Sequence, residues 1–148
     1  MIFSQNAPNI FEIQWKKRGV EMKKFNFSLQ KVLEIKEQFL ENLKIELSNL
    51  NYEYIKNEKL VINLKDEYEI VNDEFNEKSC VAISVGEIIY YKIHMSSILK
   101  QIENKEEEKR ALNKNIEAKR QEIINMNIEI STLEKLREKE IEKYNKVL

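Results

Sequence analysis

Helix breakers are almost missing from this chain. Its 148 residues hold one proline, Pro8, and two glycines, Gly19 and Gly86. Ordinary globular helices average about 11–12 residues, so a compact domain needs frequent interruptions. Nothing between Val20 and Val85, or between Glu87 and Leu148, obliges the backbone to stop. A single cysteine, Cys80, excludes an internal disulfide, and nothing calls for an oxidising compartment. One histidine, no phosphate-binding loop and no metal-ligand cluster leave catalysis, metals and cofactors without support. No run approaches the roughly 18–20 apolar residues that span a bilayer. The N-terminus lacks the order of a signal peptide. Charge of one sign is missing too: 25 Lys and Arg stand against 26 Asp and Glu. That balance argues against a nucleic-acid partner.

What is present is a long apolar repeat. From Leu29, one column reads Leu29, Lys36, Leu43, Leu50, Asn57, Leu64 and Val71. The second reads Leu33, Leu40, Leu47, Tyr54, Val61, Tyr68 and Phe75. Twelve of these 14 are apolar, and a 3.5-residue repeat held this long keeps one seam facing a partner helix. Ser28 is a plausible cap for its start.

A second run takes in Ile88, Tyr91, Met95, Ile98, Ile102, Lys105, Lys109, Leu112 and Ile116. It continues through Lys119, Ile123, Met126, Ile130, Leu133, Arg137, Glu140, Tyr144 and Val147. It weakens after Leu133, where Leu136 and Ile141 suggest drift to a neighbouring face. Between the runs, Ser84-Val85-Gly86-Glu87 has capping-box spacing.

The expectation is an all-α fold, two long helices forming an antiparallel coiled-coil hairpin. The helices fall at about 28–77 and 86–147, with the turn at about 78–85. At about 1.5 Å per residue they measure roughly 75 and 90 Å. If Phe75 meets Ile88, facing residue numbers total about 163. Val61 then faces Ile102, Leu33 faces Ile130, and Asn57 falls level with Lys105 and Lys109. Such a polar layer fixes alignment at some cost in stability. Lys36 has no polar counterpart and is assigned only a snorkelling role.

Residues 1–21 differ in texture: Pro8, Trp15, no heptad, and the basic run Lys16-Lys17-Arg18. Lys-Lys-Arg-Gly-Val-Glu-Met can be encoded by a ribosome-binding stretch followed by a start codon. One reading is therefore a translated leader ahead of a true start at Met22. The other is a short flexible or docking extension.

From Met22 the chain reads Met22-Lys23-Lys24-Phe25-Asn26-Phe27-Ser28-Leu29-Gln30-Lys31-Val32-Leu33-Glu34. This resembles the opening of the FliJ family of flagellar export proteins, Phe-x-Phe-x-Leu-Gln-Lys-Val-Leu-Glu. Leu133-Glu134-Lys135-Leu136-Arg137-Glu138-Lys139, followed by Tyr144, is similar to the family's second-helix pattern. The resemblance covers Met22 to Leu148, although members usually carry a further short tail. It implies a soluble, cytoplasmic part of the flagellar type III export apparatus, peripheral to the membrane. Its implied partners are the export ATPase FliI, the export-gate protein FlhA and export chaperones. The implied role is a central-stalk-like adaptor that promotes assembly of the ATPase hexamer. A generic coiled-coil spacer and a stalk subunit of a rotary ATPase are the rival readings.

Two candidate contacts follow from the resemblance. Phe25, Phe27, Leu29, Val32 and Leu133 gather where the helix ends meet, and there the stalk analogy puts the ATPase ring; helix-end packing or a hydrophobic staple is the bland alternative. Ile89, Tyr90, Ile93, His94, Leu99 and Gln101 give the turn-proximal half more apolar surface than one seam needs. That surplus marks a docking patch for the export gate, or else a broadened seam. Glu103 to Arg110 reads as a solvated face with pairs such as Glu106–Arg110.

Overall fold

The computed structural model describes residues 29–147. Residues 1–21, Phe25, Phe27 and the expected cap at Ser28 lie outside the described residues. Two helices, α1 (Gln30–Val81) and α2 (Val85–Val147), pack against each other as a hairpin, with no strand among the described residues. The heptads decide which face each turns inward. All 14 positions of the first run are at least partly shielded, and of the 18 in the second only Glu140 and Val147 are exposed. Near that end the apolar pattern does drift. Ile141 is half-buried where Glu140 faces solvent, while Leu136 stays exposed.

The turn is shorter than the sequence suggested. The spacing predicts that α1 stops near Glu77, but it continues to Val81, and only Ala82, Ile83 and Ser84 link the helices. Nothing in Lys78-Ser79-Cys80-Val81 interrupts a helix. The Ser79 hydroxyl donates back to the Phe75 carbonyl at 2.7 Å, which satisfies it inside the helix. The Ala82 N–H still reaches the Lys78 carbonyl at 3.1 Å. Ser84 caps α2: the Glu87 N–H donates to Ser84 Oγ at 3.1 Å, and the hydroxyl in turn donates to Glu87 Oε1 at 3.5 Å.

Extending α1 moves the fold point to Ile83 and shifts the register slightly. Facing residue numbers total 165 for Lys36–Glu129, Glu46–Lys119, Asn57–Glu108 and Lys78–Glu87. Phe75 accordingly meets Tyr91, with ring centroids 5.6 Å apart, instead of Ile88.

The packing forms two compact units. Among the described residues, the terminal unit joins 29–46 with 119–147; the turn unit spans Leu47–Ala118. In the terminal unit Leu33 is wholly buried and Ile130 nearly so. Lys36 sits in this seam and sends its ammonium out to Glu129 at 3.5 Å, so its stem packs while its charge stays wet. In the turn unit Val71, Tyr91, Met95 and Ile98 form a buried cluster, walled by Leu64, Tyr68, Phe75, Ile83 and Ile102. Lys92 and Lys78 lie over the rings of Phe75 and Tyr91, at 4.9 and 5.4 Å.

Ile98 is 1% exposed and central to that cluster. Ile98→Ala removes its packing against that cluster. It should cost about 2–5 kcal/mol in a urea unfolding experiment, whereas Ile62→Ala at an exposed position should stay within about 0.5 kcal/mol.

Candidate functional site

The described residues contain no group of His, Cys, Asp and Glu that would hold a metal ion, and Cys80 is exposed and alone. No helix among them is long and apolar enough to cross a membrane. What the surface offers is side chains beside the seam, and their placement follows from about 100° of rotation per residue.

The six turn-proximal candidates do not form one patch. With Tyr91, Met95, Ile98 and Ile102 turned into the seam, Tyr90, His94 and Gln101 fall on one flank. Leu99 lies on the opposite flank, and Ile89 and Ile93 occupy the face turned away from α1. The Tyr90–His94 pair is organised: the rings stack with centroids 6.1 Å apart and planes 7° apart. His94 Nε2 stands 3.9 Å from Glu67 Oε1 of α1. Gln101 donates to Ser97 Oγ at 3.5 Å on its own helix. On the outward face Ile93, 66% exposed, continues a row with Val85 and Ile89. Sequence reasoning passed over Val85, although its spacing of four from Ile89 was open to inspection.

At the other end, Leu29 and Leu133 are partly buried seam residues. Of the candidate ring contacts among the described residues, only Val32 is exposed. Beside them lies a polar cluster that sequence reasoning missed. Arg137 Nη1 donates to Gln30 Oε1 at 3.1 Å. Burial pushes the Arg137 guanidinium below its ordinary range, with the charges of Glu134 and Glu37 opposing the shift. Burial, then the charge of Glu134, pushes the Glu37 carboxyl up, against the pull of Arg137.

The polar level of the turn unit is organised by a residue outside the seam. Asn57 is 6% exposed, the buried polar residue of the seam. Its Nδ2 donates to Glu108 Oε2 at 3.3 Å, and Lys105 Nζ donates to the same oxygen at 3.1 Å. Glu108 therefore joins Asn57 to Lys105. Lys109 turns elsewhere, over the Tyr54 ring at 5.5 Å and 3.8 Å from Glu106, which Lys65 also approaches.

Residues 23–148 match the family model described as the flagellar FliJ protein. No curated protein and no solved structure matches the chain.

Two predictions follow from the polar groups. Asn57→Leu leaves Glu108 paired with Lys105 and replaces a buried amide by apolar volume. It should raise the free energy of unfolding in urea by about 1 kcal/mol and loosen register. In a Cys80→Ser background, spin labels at Lys59 and Arg110 should then show a broader distance distribution than without the change. For Glu37, a raised native pKa means the folded state holds the proton more tightly than the unfolded state. The ionised carboxyl is a net cost at neutral pH, relieved as pH falls through the raised native value toward 4.5. Glu37→Gln should therefore raise Tm at pH 7, and the increment should vanish at about pH 4 in a thermal melt series.

Proposed function

The chain belongs to the FliJ family, and from that membership in a flagellar export family we propose a specific role within export. It acts as an adaptor that engages the hexameric export ATPase FliI in the manner of a central stalk. It promotes assembly of the hexamer, raises its ATP turnover, and couples it to the export gate FlhA and to export chaperones. The chain hydrolyses nothing itself and works at the cytoplasmic face of the membrane.

The observation that carries this reading is the extent of the match. Residues 23–148 take in both helices and their link, so the family signal and the heptad-bearing hairpin are the same piece of chain. A two-helix pair that presents exposed side chains on its flanks supports an adaptor, because one seam consumes only one face of each helix. We assign the ring contact to the end bearing Phe25, Phe27 and Val32, with Leu29 and Leu133 positioning it from the seam. We assign the gate contact to the turn unit, centred on the stacked Tyr90–His94 pair.

The test is ATP hydrolysis by the cognate export ATPase with and without this chain, run beside a sizing experiment for hexamers. The expected result is stimulation together with hexamer formation, both weakened about tenfold in apparent affinity by Phe25→Ser with Phe27→Ser. Tyr90→Ala with His94→Ala should leave stimulation intact and abolish capture by the cytoplasmic part of FlhA. If a chain shown to be helical by circular dichroism neither binds nor stimulates the ATPase, the adaptor reading fails and a coiled-coil spacer takes its place.

A further inference from the structure

We propose that the terminal unit carries a receptor groove for a cationic amphipathic helix of a partner protein, separate from the ring and gate contacts assigned above. The groove, about 450 Å³, runs between Phe39–Glu46 of α1 and Glu122–Glu129 of α2. On each helix the lining residues fall at i, i+3, i+4 and i+7, so each side presents one helical face for about two turns. A trough bounded by two parallel helical walls is shaped to take a third helix, whose own anchors recur at the same spacing.

The chemistry of the walls selects the occupant. The floor is apolar: Leu43 and Met126 are partly buried seam residues, and Phe39 lines the groove with them, 52% exposed. Ile35, one turn back from Phe39, prolongs this apolar strip toward the start of α1. Neither Ile35 nor Phe39 belongs to the seam, so the pairing of α1 with α2 does not account for them. Every charged residue lining the groove is a carboxylate: Glu46, Glu122 and Glu129.

Two lysines answer these carboxylates from beneath. Lys119 reaches Glu46 at 2.6 Å and Glu122 at 3.4 Å, and Lys36 reaches Glu129 at 3.5 Å. Hydrogen bonding to Glu46 leads the causes that hold the Lys119 ammonium above its ordinary range. Both lysines are more shielded than their glutamates, whose side chains remain about half exposed. Three carboxylates against two cations leave a negative surplus, and the charge turned to solvent along the rim is carboxylate. An apolar floor with an acidic rim is complementary to a helix bearing an apolar anchor flanked by Lys or Arg. Asn42 and Asn125, one on each wall, add amides that can pair with polar side chains beside the anchor.

The experiment uses the full chain and a labelled peptide of repeated Leu-Lys-Lys-Leu-Leu-Lys-Leu heptads. A counterpart peptide carries Glu in place of every Lys. Fluorescence anisotropy should show binding of the cationic peptide and none of the anionic one. Phe39→Ala should weaken binding about tenfold or more, as expected for an aromatic anchor. Glu122→Gln with Glu129→Gln should weaken it and flatten its salt dependence. Ile45→Ala, on an exposed face of the same helix away from the groove, should leave it unchanged. Amide shift changes on binding should cluster at Asn42 and Asn125.

Absence of binding overturns the proposal, as does equal binding of the anionic peptide or equal loss with Ile45→Ala. If sedimentation shows the chain alone associating, and Phe39→Ala abolishes that association, the occupant is a second copy and the proposal is wrong. Because neither peptide nor variants touch Phe25, Phe27, Tyr90 or His94, failure here leaves the adaptor reading standing, and the reverse also holds.

Discussion

Each helix has one apolar face, and the two faces together make one seam. That constraint governs everything else in this protein. A globular core shares its load among several elements, whereas here a residue either enters the seam or stays outside the core. A buried large apolar side chain contributes about 1.5–3 kcal/mol, so the pair stands on residues such as Leu33, Val61, Ile98 and Ile116. Polar residues within the repeat must then leave the seam sideways. In each unit several do so toward glutamates: Lys36 to Glu129 and Lys119 to Glu46 in one, Asn57 and Lys105 to Glu108 in the other. An interruption of the core is thereby converted into a carboxylate-bearing flank, and interior and surface chemistry are coupled.

Register is the second consequence. A seam of repeating Leu, Ile and Val would tolerate slippage by whole heptads, since one apolar layer resembles the next. Two features remove that freedom. The link is only three residues long and is closed by the Ser84 cap, which fixes where α2 begins. The Asn57–Glu108–Lys105 group then satisfies a buried amide with a charged partner in the native alignment. The amide hydrogen bond adds little net stability, but an alignment that left Asn57 buried without Glu108 would lose about 1–3 kcal/mol.

The seam was legible in the sequence because a repeat restates the same physical demand every few residues. Leu29 through Phe75 could be assigned inward on spacing alone, and so could the second run as far as Leu133. The turn was harder to bound, since Ser79 resembles a loop residue until its hydroxyl is seen to bond the Phe75 carbonyl. Flanks were harder still. Ile89, Ile93 and Leu99 share composition with a patch, but composition does not encode direction, and rotation about the helix separates them. Glu108 reads in the sequence as part of the solvated run from Glu103 to Arg110, because the residue that satisfies Asn57 projects from the flank beside the seam. Ile35 and Phe39 were visible as apolar residues out of phase with the repeat. Their significance required knowing what α2 places across from them.

This division of labour also determines which substitutions report on binding. A change at Leu33 or Ile98 alters the seam, so loss of a partner and loss of the fold arrive together. Phe39 and Tyr90 are each more than half exposed, and truncating either removes recognition surface while leaving the seam intact. Residues such as His94 and Lys119 are intermediate, for each projects outward yet reaches the facing helix, through Glu67 and Glu46 respectively. Their carboxylate partners offer the cleaner probe. Exposed ion pairs contribute about 0–1 kcal/mol, so neutralising one changes the charge a partner meets far more than it changes the stability of the pair of helices. In a protein with one seam, function has to be read from residues the fold does not need.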